Sequence, residues 1–265
     1  MMTRSTGNTH DTAPRLFVAA PLRDGADIAA SPEHAHYLGH VLRRESGDVA
    51  RLFNGADGEW LARLTFARRD RLTFSVEQQL RPQTPEPGPW LLFALLKRDA
   101  TDLVVRQAVE LGASRVLPVI TTRTNAARVN DVRLRAIAIE AAEQSERLTV
   151  PSIDPPARLD AVLAAWPADR RLFAAIERSH NPPPPARTGP AALLVGPEGG
   201  FTQTEQAWLS GLPAVTPISL GSFVLRAETA AAAGQTLLLA MGWAEYVAPN
   251  LKRTPESPST PCPTP

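Results

Sequence analysis

Leu194-Val195-Gly196-Pro197-Glu198-Gly199-Gly200-Phe201, followed by Thr202-Gln203-Thr204-Glu205, is an apolar run that enters a loop with three glycines and then a helix start. Thr202 and Glu205 have capping-box spacing, in which the hydroxyl and the carboxylate each satisfy a backbone N–H of the other residue. Glycines at a strand end let the backbone come close to a ligand and expose its N–H groups. A tight strand-to-helix turn accounts for one or two of these glycines, whereas three around the lone Glu198 point to a ligand site. A second stretch has the same grammar: Ser219-Leu220-Gly221-Ser222-Phe223-Val224-Leu225-Arg226-Ala227-Glu228-Thr229. Glu228 suits a helix N-terminus, where the macrodipole favours an anion. Arg226 does not, and its guanidinium is better placed facing a substrate oxygen or phosphate.

Outward from these loops, strand and helix alternate. Strands are expected over 91–96, 116–120, 172–176 and 192–195, and helices over 101–111 and 132–148. This is the pattern of an α/β domain on a mostly parallel sheet. Gly112 stands where a C-cap glycine belongs, and Pro151 is expected to stop the long helix. The last helix, about 228–243, is so rich in alanine and leucine that it should be buried on more than one side, a dimer interface being one natural place.

From 15 to about 80 the texture differs. Short alternating stretches such as Val49-Ala50-Arg51-Leu52-Phe53 and Leu72-Thr73-Phe74-Ser75-Val76 are punctuated by Asn54-Gly55 and Asp57-Gly58. That describes a small β-rich domain with a short helix over 34–44. Four prolines and a glycine between Pro82 and Pro89 have linker composition. The organisation read from the chain is therefore a disordered N-terminus at 1–14, a small domain at 15–82, a linker at 83–89, an α/β domain at 90–246, and a disordered proline-rich tail at 247–265.

Composition excludes several classes. Cys262 is the single cysteine, so a disulfide framework and thiol chemistry are both ruled out. No apolar run is long enough for a membrane span, and the polar start lacks a signal-peptide core, so a cytoplasmic protein is expected. Net charge is +1, which leaves room for no more than a local basic groove. Lysine occurs only at Lys97 and Lys252; the arginine bias suits phosphate contacts, though genome composition explains it as well. His36 and His40 with Glu33 could be drawn as a metal site, but without a third convincing ligand packing or an RNA-facing surface is preferred, and no metal is expected. The glutamates from Glu140 to Glu146, with Glu143 and Arg147 at i,i+4 spacing, look like a solvated helix face. P-loop, dinucleotide-binding, zincin and nucleophile-elbow motifs are absent.

Taken together, the segments resemble the RsmE family of 16S ribosomal RNA uridine-N3 methyltransferases. The likeness runs from Arg15 to Trp243. It is carried by His36 to Arg43, Gly47-Asp48 through Gly55, Glu110-Leu111-Gly112, Pro118 with Arg123, Glu140 to Arg147, Gly196 to Phe201, and Leu220-Gly221 through Leu225-Arg226-Ala227-Glu228-Thr229. Gln107 stands where the family usually has lysine, the neighbours of Arg123 differ from the usual ones, and Ala227 replaces a customary threonine.

The resemblance implies a C-terminal SPOUT domain with a deep trefoil knot, a topology otherwise nearly absent among proteins, behind a small PUA-like β-barrel domain. It implies S-adenosyl-L-methionine as cofactor, held largely by backbone groups of three loops: Ile176 and Glu177; Gly196, Pro197, Glu198, Gly199 and Gly200; and Leu220, Gly221, Val224, Leu225 and Arg226. It further implies 16S rRNA within the 30S subunit as partner, and a homodimer. On this basis Arg226 stabilises the charge that develops on the uracil, Glu198 or Glu228 accepts the N3 proton, and Arg43, Arg44, Arg123 and Arg147 contact RNA. A noncatalytic ribosome-assembly factor that keeps the fold and RNA surface is the rival reading. A third, a phosphate-binding enzyme using the glycine loop as an anion nest, lacks the lysine and Ser/Thr of a P-loop.

Overall fold

A computed structural model of the chain describes residues 12–68, 71–125, 129–177 and 189–247, with side chains as far as 240. The expected disorder at 1–11 and 248–265 lies outside the described residues. Residues 12–14 are part of the small domain rather than a loose end: Ala13 is buried and the Pro14 carbonyl accepts from Arg51 N at 2.8 Å.

The small domain is a five-stranded sheet. Strands β1 (Arg15–Phe17), β2 (Asp27–Ala29), β3 (Val49–Phe53), β4 (Glu59–Arg68) and β5 (Arg71–Arg81) lie in the order β1-β3-β4-β5-β2, with β1 and β3 parallel and the other pairs antiparallel. Alternation decides which face is inside. Leu72, Phe74 and Val76 of β5 are buried with Leu52, Leu64 and Leu38, while Arg71, Thr73 and Ser75 face out. The expected single helix over 34–44 is instead helix α1 (Pro32–His36), capped by the Ser31 hydroxyl on His34 N at 3.1 Å, followed by a π-helical turn at Tyr37–Val41. Arg43 ends that turn at φ +53.

The larger domain runs β6 (Trp90–Ala94), α2 (Arg98–Glu110), β7 (Arg115–Ile120), α3 (Asp131–Gln144), β8 (Ser152–Ile153), β9 (Ala157–Arg158), α4 (Leu159–Ala164), β10 (Arg171–Ala175), β11 (Ala191–Val195), α5 (Gln203–Ser210), β12 (Val215–Ile218) and α6 (Ala227–Val247). Strand order is β12-β10-β11-β6-β7-β8, with β9 also on β7, and every pairing in this sheet is parallel. Both faces must then be covered, which is why β6 and β11 read as unbroken apolar runs. Leu91, Phe93, Leu193 and Val195 pack with side chains of α2, α3 and α6; Leu92, Ala192 and Leu194 pack on the other face with Leu159 of α4 and Leu209 of α5. No helix among the described residues is long and apolar enough to cross a membrane.

Helix α3 ends at Gln144, not at 148, and Pro151 plays no part in stopping it. The chain turns at Glu146, whose φ is +57, so the i,i+4 pairing of Glu143 with Arg147 never forms. Both side chains go elsewhere. Glu143 Oε1 accepts from Phe17 N at 2.8 Å, across the domain boundary, and burial there pushes its carboxyl above the ordinary value. Arg147 is buried and donates to the carbonyls of Val109 (3.0 Å) and Ala113 (2.8 Å). This corrects the expectation that Arg147 meets RNA: its guanidinium is committed to the end of α2.

The two domains are joined by a buried ionic cluster. Arg15 Nε donates to Glu59 Oε1 at 2.9 Å, its Nη1 to Ala142 O at 2.8 Å, and its Nη2 to Arg147 O. One small-domain guanidinium thus serves carbonyls at and just beyond the C-terminal end of α3, where a cation is also favoured by the dipole. Arg81 pairs with the second oxygen of Glu59, and Arg51 with Glu146 at 2.9 Å. The chain at 82–89 is fastened too. Glu86 accepts from Leu148 N at 2.9 Å and Thr149 N at 3.1 Å, and Gly88 lies so close to the end of α2 that a Cβ there would stand 1.9 Å from Gly112 O.

Two expectations follow. Glu59 is 1 % exposed, so Glu59→Ala leaves Arg15 buried without its counter-charge and should lower the unfolding free energy by about 3–5 kcal/mol, read from urea denaturation. Glu86 is held below the ordinary carboxylate value: burial opposes its charge, but the Thr149 hydroxyl, the Leu148 and Thr149 amides and Arg147 outweigh it. A depressed folded pKa gives stability that is present above the unfolded value, about 4.3, and lost as pH falls through the folded value. Glu86→Gln should therefore flatten the acid limb of a melting-temperature profile.

Candidate active site

Because β10, β11 and β12 are parallel neighbours or next neighbours, their carboxyl ends share one edge of the sheet, the usual place for a ligand in an open α/β sheet. The three loops singled out in the sequence leave from that edge. Ile176 and Glu177 follow β10, Gly196 to Gly200 follow β11, and Leu220 to Arg226 follow β12. They enclose two adjoining cavities. The larger, about 300 Å³, is lined by Ala175, Ile176, Glu177 and the stretch 219–225. The smaller, about 50 Å³, is lined by the same 175–177 segment with Gly196, Pro197, Glu198, Gly200, Phe201 and Leu225. Glu177 borders both, so one exposed carboxylate stands at their junction.

The glycine loop is held from within and from outside. Gly200 N donates to Pro197 O at 2.8 Å, and Gly200 lies at φ +65 with Glu177 Oε1 only 2.8 Å from where a Cβ would project. The capping box forms as read: Thr202 Oγ1 accepts from Glu205 N at 3.1 Å, and Glu205 Oε2 accepts from Thr202 N at 2.8 Å. Arg123, on the turn after β7, donates to Gly199 O at 2.6 Å. Gly199 does not line either cavity; its carbonyl is taken up by that arginine. In the third loop, Gly221 has φ +128, and the Ser219 hydroxyl accepts from Gly221 N at 3.3 Å.

Leu220, Gly221, Val224 and Leu225 line the larger cavity. Arg226 is exposed at the start of α6, between Leu225 and Ala227, which face the cavities, and its carbonyl accepts from Ala230 N at 2.8 Å. Glu228 sits half-buried in the first turn of α6, and Glu198 is exposed at the rim of the smaller cavity. Arg43 and Arg44 lie on the small domain beyond the π-helical turn and line neither cavity; Arg43 is exposed and Arg44 half-buried. On that turn the imidazoles of His36 and His40 stack at 5.0 Å.

Sequence reading missed several lining residues. Phe223 is 83 % exposed at the mouth of the larger cavity, and Ser219, Ser222, Gln206 and Ala230 also contribute. All but Gln206 and Ala230 fall inside the stretch already suspected, where spacing carries no sign of which side chains turn inward.

This arrangement can be compared with known proteins. Residues 85–239 match a model described as an RNA methyltransferase domain, and residues 31–77 one described as an RNA methyltransferase PUA domain. The ribosomal RNA small subunit methyltransferase E of Rickettsia conorii is 35% identical over 224 residues, covering 82% of this chain and 91% of its own. The chain belongs to the ribosomal RNA small subunit methyltransferase E family. The homologous enzyme of Synechocystis is 30% identical over 82% of this chain and 74% of its own. Among solved structures, the family member from Neisseria gonorrhoeae bound to S-adenosylmethionine has a TM-score of 0.75 at 27% identity, covering 86% of this chain and 98% of its own. A methyltransferase from Legionella pneumophila, also with that cofactor bound, gives 0.78 at 28% identity, over 86% and 97%. The α/β half of the fold is thus the family's methyltransferase domain and the β-rich half its PUA domain.

The geometry separates two glycines of the loop. Gly200→Ala puts a side chain at a left-handed backbone position, at a cost of about 1–2 kcal/mol, and against Glu177 besides. Gly199→Ala meets Arg123 at an ordinary 3.4 Å and should cost less. Urea midpoints of the two variants check the order.

Proposed function

We propose that this chain transfers the methyl group of S-adenosylmethionine to N3 of a uridine in 16S ribosomal RNA of the small subunit. The observation that carries the reading is the convergence of three strand-end loops on adjoining cavities at one sheet edge, in a chain of this family. The cavities suit the cofactor. At about 300 Å³ the larger one is of ligand size, its wall mixes apolar side chains with loop backbone, and Glu177 offers a carboxylate acceptor at the junction. Ile176, Glu177, Gly196 to Gly200, and Leu220 to Leu225 would hold the cofactor, which when bound supplies an electrophilic methyl on a sulfonium.

The chain's own residues then have three tasks. The first is placement: fixing acceptor and donor in line supplies much of the acceleration. The second is charge. Removing the N3 proton spreads negative charge over N3, O2 and O4, and Arg226, exposed beside the cavities, is assigned the role of donor to those oxygens. The third is the proton itself, for which Glu198 on the rim and Glu228 in the first turn of α6 are the candidate acceptors. RNA is oriented by phosphate contacts from Arg43 and Arg44 on the PUA domain and Arg123 beside the glycine loop, with an unstacked uridine entering the site. SPOUT-type threading with a trefoil knot, closure of the PUA sheet into a barrel, a homodimer that buries the alanine-rich α6, and a cytoplasmic 30S particle as substrate belong to the same proposal.

The test is methyl transfer from labelled S-adenosylmethionine to small subunits from cells lacking the protein, followed by nucleoside analysis. A single 3-methyluridine is expected. Cofactor binding with every nucleoside unmodified would instead favour a noncatalytic assembly factor. In the same assay Arg226→Ala should lower kcat by about 10²–10³ with cofactor affinity nearly unchanged; equal losses in both would remove Arg226 from the charge-stabilising role.

A further inference from the structure

The carboxylate of Glu205 does more than cap a helix. Its Oε2 accepts from Thr202 N at 2.8 Å and from the Thr202 hydroxyl at 3.0 Å, which completes the cap of α5. Its Oε1 accepts from the backbone N–H of Thr122 at 2.8 Å, a residue 83 positions earlier in the chain. Capping does not require this second bond. Thr122 lies in the turn after β7, which is closed by Thr121 N on Thr124 Oγ1 at 2.9 Å and by Thr124 N on Thr121 O at 3.2 Å. The next residue, Arg123, reaches Gly199 O at 2.6 Å. Two bonds therefore tie the turn after β7 to the segment after β11, one to Gly199 of the glycine loop and one to the first turn of α5 that the loop leads into.

Those strands are not neighbours. β6 runs between them, so their ends stand roughly 10 Å apart, and the two loops meet only by closing over the end of β6. Partial burial works against the Glu205 charge, yet the Thr122 and Thr202 donors hold the carboxyl below its ordinary value. It is an anion at neutral pH, with both oxygens engaged on different segments.

We propose that Glu205 is a positioning residue for methyl transfer: it fastens the turn that carries Arg123 to the glycine loop that lines the cofactor cavity. The RNA-facing guanidinium and the methyl donor are then held in one frame. This rests on the reading that the cavity takes S-adenosylmethionine and that Arg123 meets the RNA. Without that bond the turn, and Arg123 with it, loses its fixed place beside the glycine loop, so the consequence belongs in RNA binding rather than in cofactor affinity.

The experiment uses the full chain, small subunits from cells lacking the protein, and labelled S-adenosylmethionine. Glu205→Gln keeps the size of the side chain but removes the charge and one acceptor oxygen. The KM for subunits should rise about tenfold, the scale of one charge-assisted hydrogen bond, while affinity for S-adenosylhomocysteine changes far less. Arg123→Ala should raise the same KM, and the double variant should be little worse than the poorer single one, because the two act as a unit. Thr202→Ala is the control: it weakens the cap and lowers the melting temperature but leaves the subunit KM in place. Should Glu205→Gln not fold, Glu205→Asp, which retracts the carboxylate by one methylene, is read in its place with the same expectation. An unmoved KM, or equal rises in Glu205→Gln and Thr202→Ala, overturns the proposal and leaves Glu205 a helix cap. Absence of transfer by the unaltered chain overturns the methyl-transfer reading and this proposal with it, whereas transfer with an unmoved KM overturns this proposal alone.

Discussion

Parallel pairing sends every carboxyl strand end to the same edge of a sheet, and the site of this protein is built from that polarity. β10, β11 and β12 each finish at one rim and each releases a loop there. Had one of these strands run the other way, its loop would leave from the opposite edge and the cavities could not form. The arrangement has a structural requirement, since a parallel sheet needs crossover helices and both faces covered. Among the described residues three helices meet that need on one face and two on the other, so the strands carry continuous apolar sequence. The helix α6, which opens immediately after the third loop, packs onto the sheet through Ala231 and Leu238. The loop from Leu220 to Arg226 is thereby stretched between a strand and a helix that are both fixed.

A second fixture decides what the small domain can contribute. A PUA domain on a loose tether would find RNA, but it could not impose a register on the methyltransferase domain. Here Glu59 is buried between Arg15 and Arg81, and Arg15 also serves the C-terminal carbonyls of α3. Such a cluster is poor evidence for stability, because desolvation offsets much of the attraction. It does specify orientation: both Glu59 oxygens are engaged by arginines, and Arg15 reaches Ala142 O and Arg147 O only when the two domains dock in this way. Glu86 and Gly88 do the same for the segment at 82–89, whose composition suggested a mere spacer.

What could be read from the sequence followed the range of the interactions. The capping box at Thr202 and Glu205, the strand into Gly196, and the alternation of β5 are written in neighbouring residues, so they were legible. Strands β6, β7, β10 and β11 were legible for the same reason, whereas the two-residue strands β8 and β9 are too short to carry a pattern. The end of α3 was not, because it is set by Glu146 turning at positive φ and by Arg15 arriving from the other domain, neither of which has a local signature. The i,i+4 spacing of Glu143 and Arg147 was sound helix arithmetic applied past the end of the helix. The bond from Glu205 to Thr122 spans β6 and 83 residues of chain, and no pattern within one segment could show it.

The same contrast settles how the arginine-rich composition is to be read. Arginine was open to two accounts, nucleic-acid contact or compositional drift, and several of these side chains turn out to have a third use. Arg15, Arg81 and Arg147 each donate to backbone carbonyls, and Arg15 and Arg81 bind a buried carboxylate as well. A lysine has three donors on one strongly hydrated point charge, while a guanidinium has five in a planar fork and is more weakly hydrated, so the latter is better suited to serve a carboxylate and two carbonyls from a buried position. The cations spent on this joint, Arg15 and Arg147 above all, are buried and so withdrawn from any RNA surface. Other arginines face outward, Arg43 on the small domain, Arg123 beside the glycine loop and Arg226 beside the cavities among them, and for these, position relative to the loops tells more than abundance.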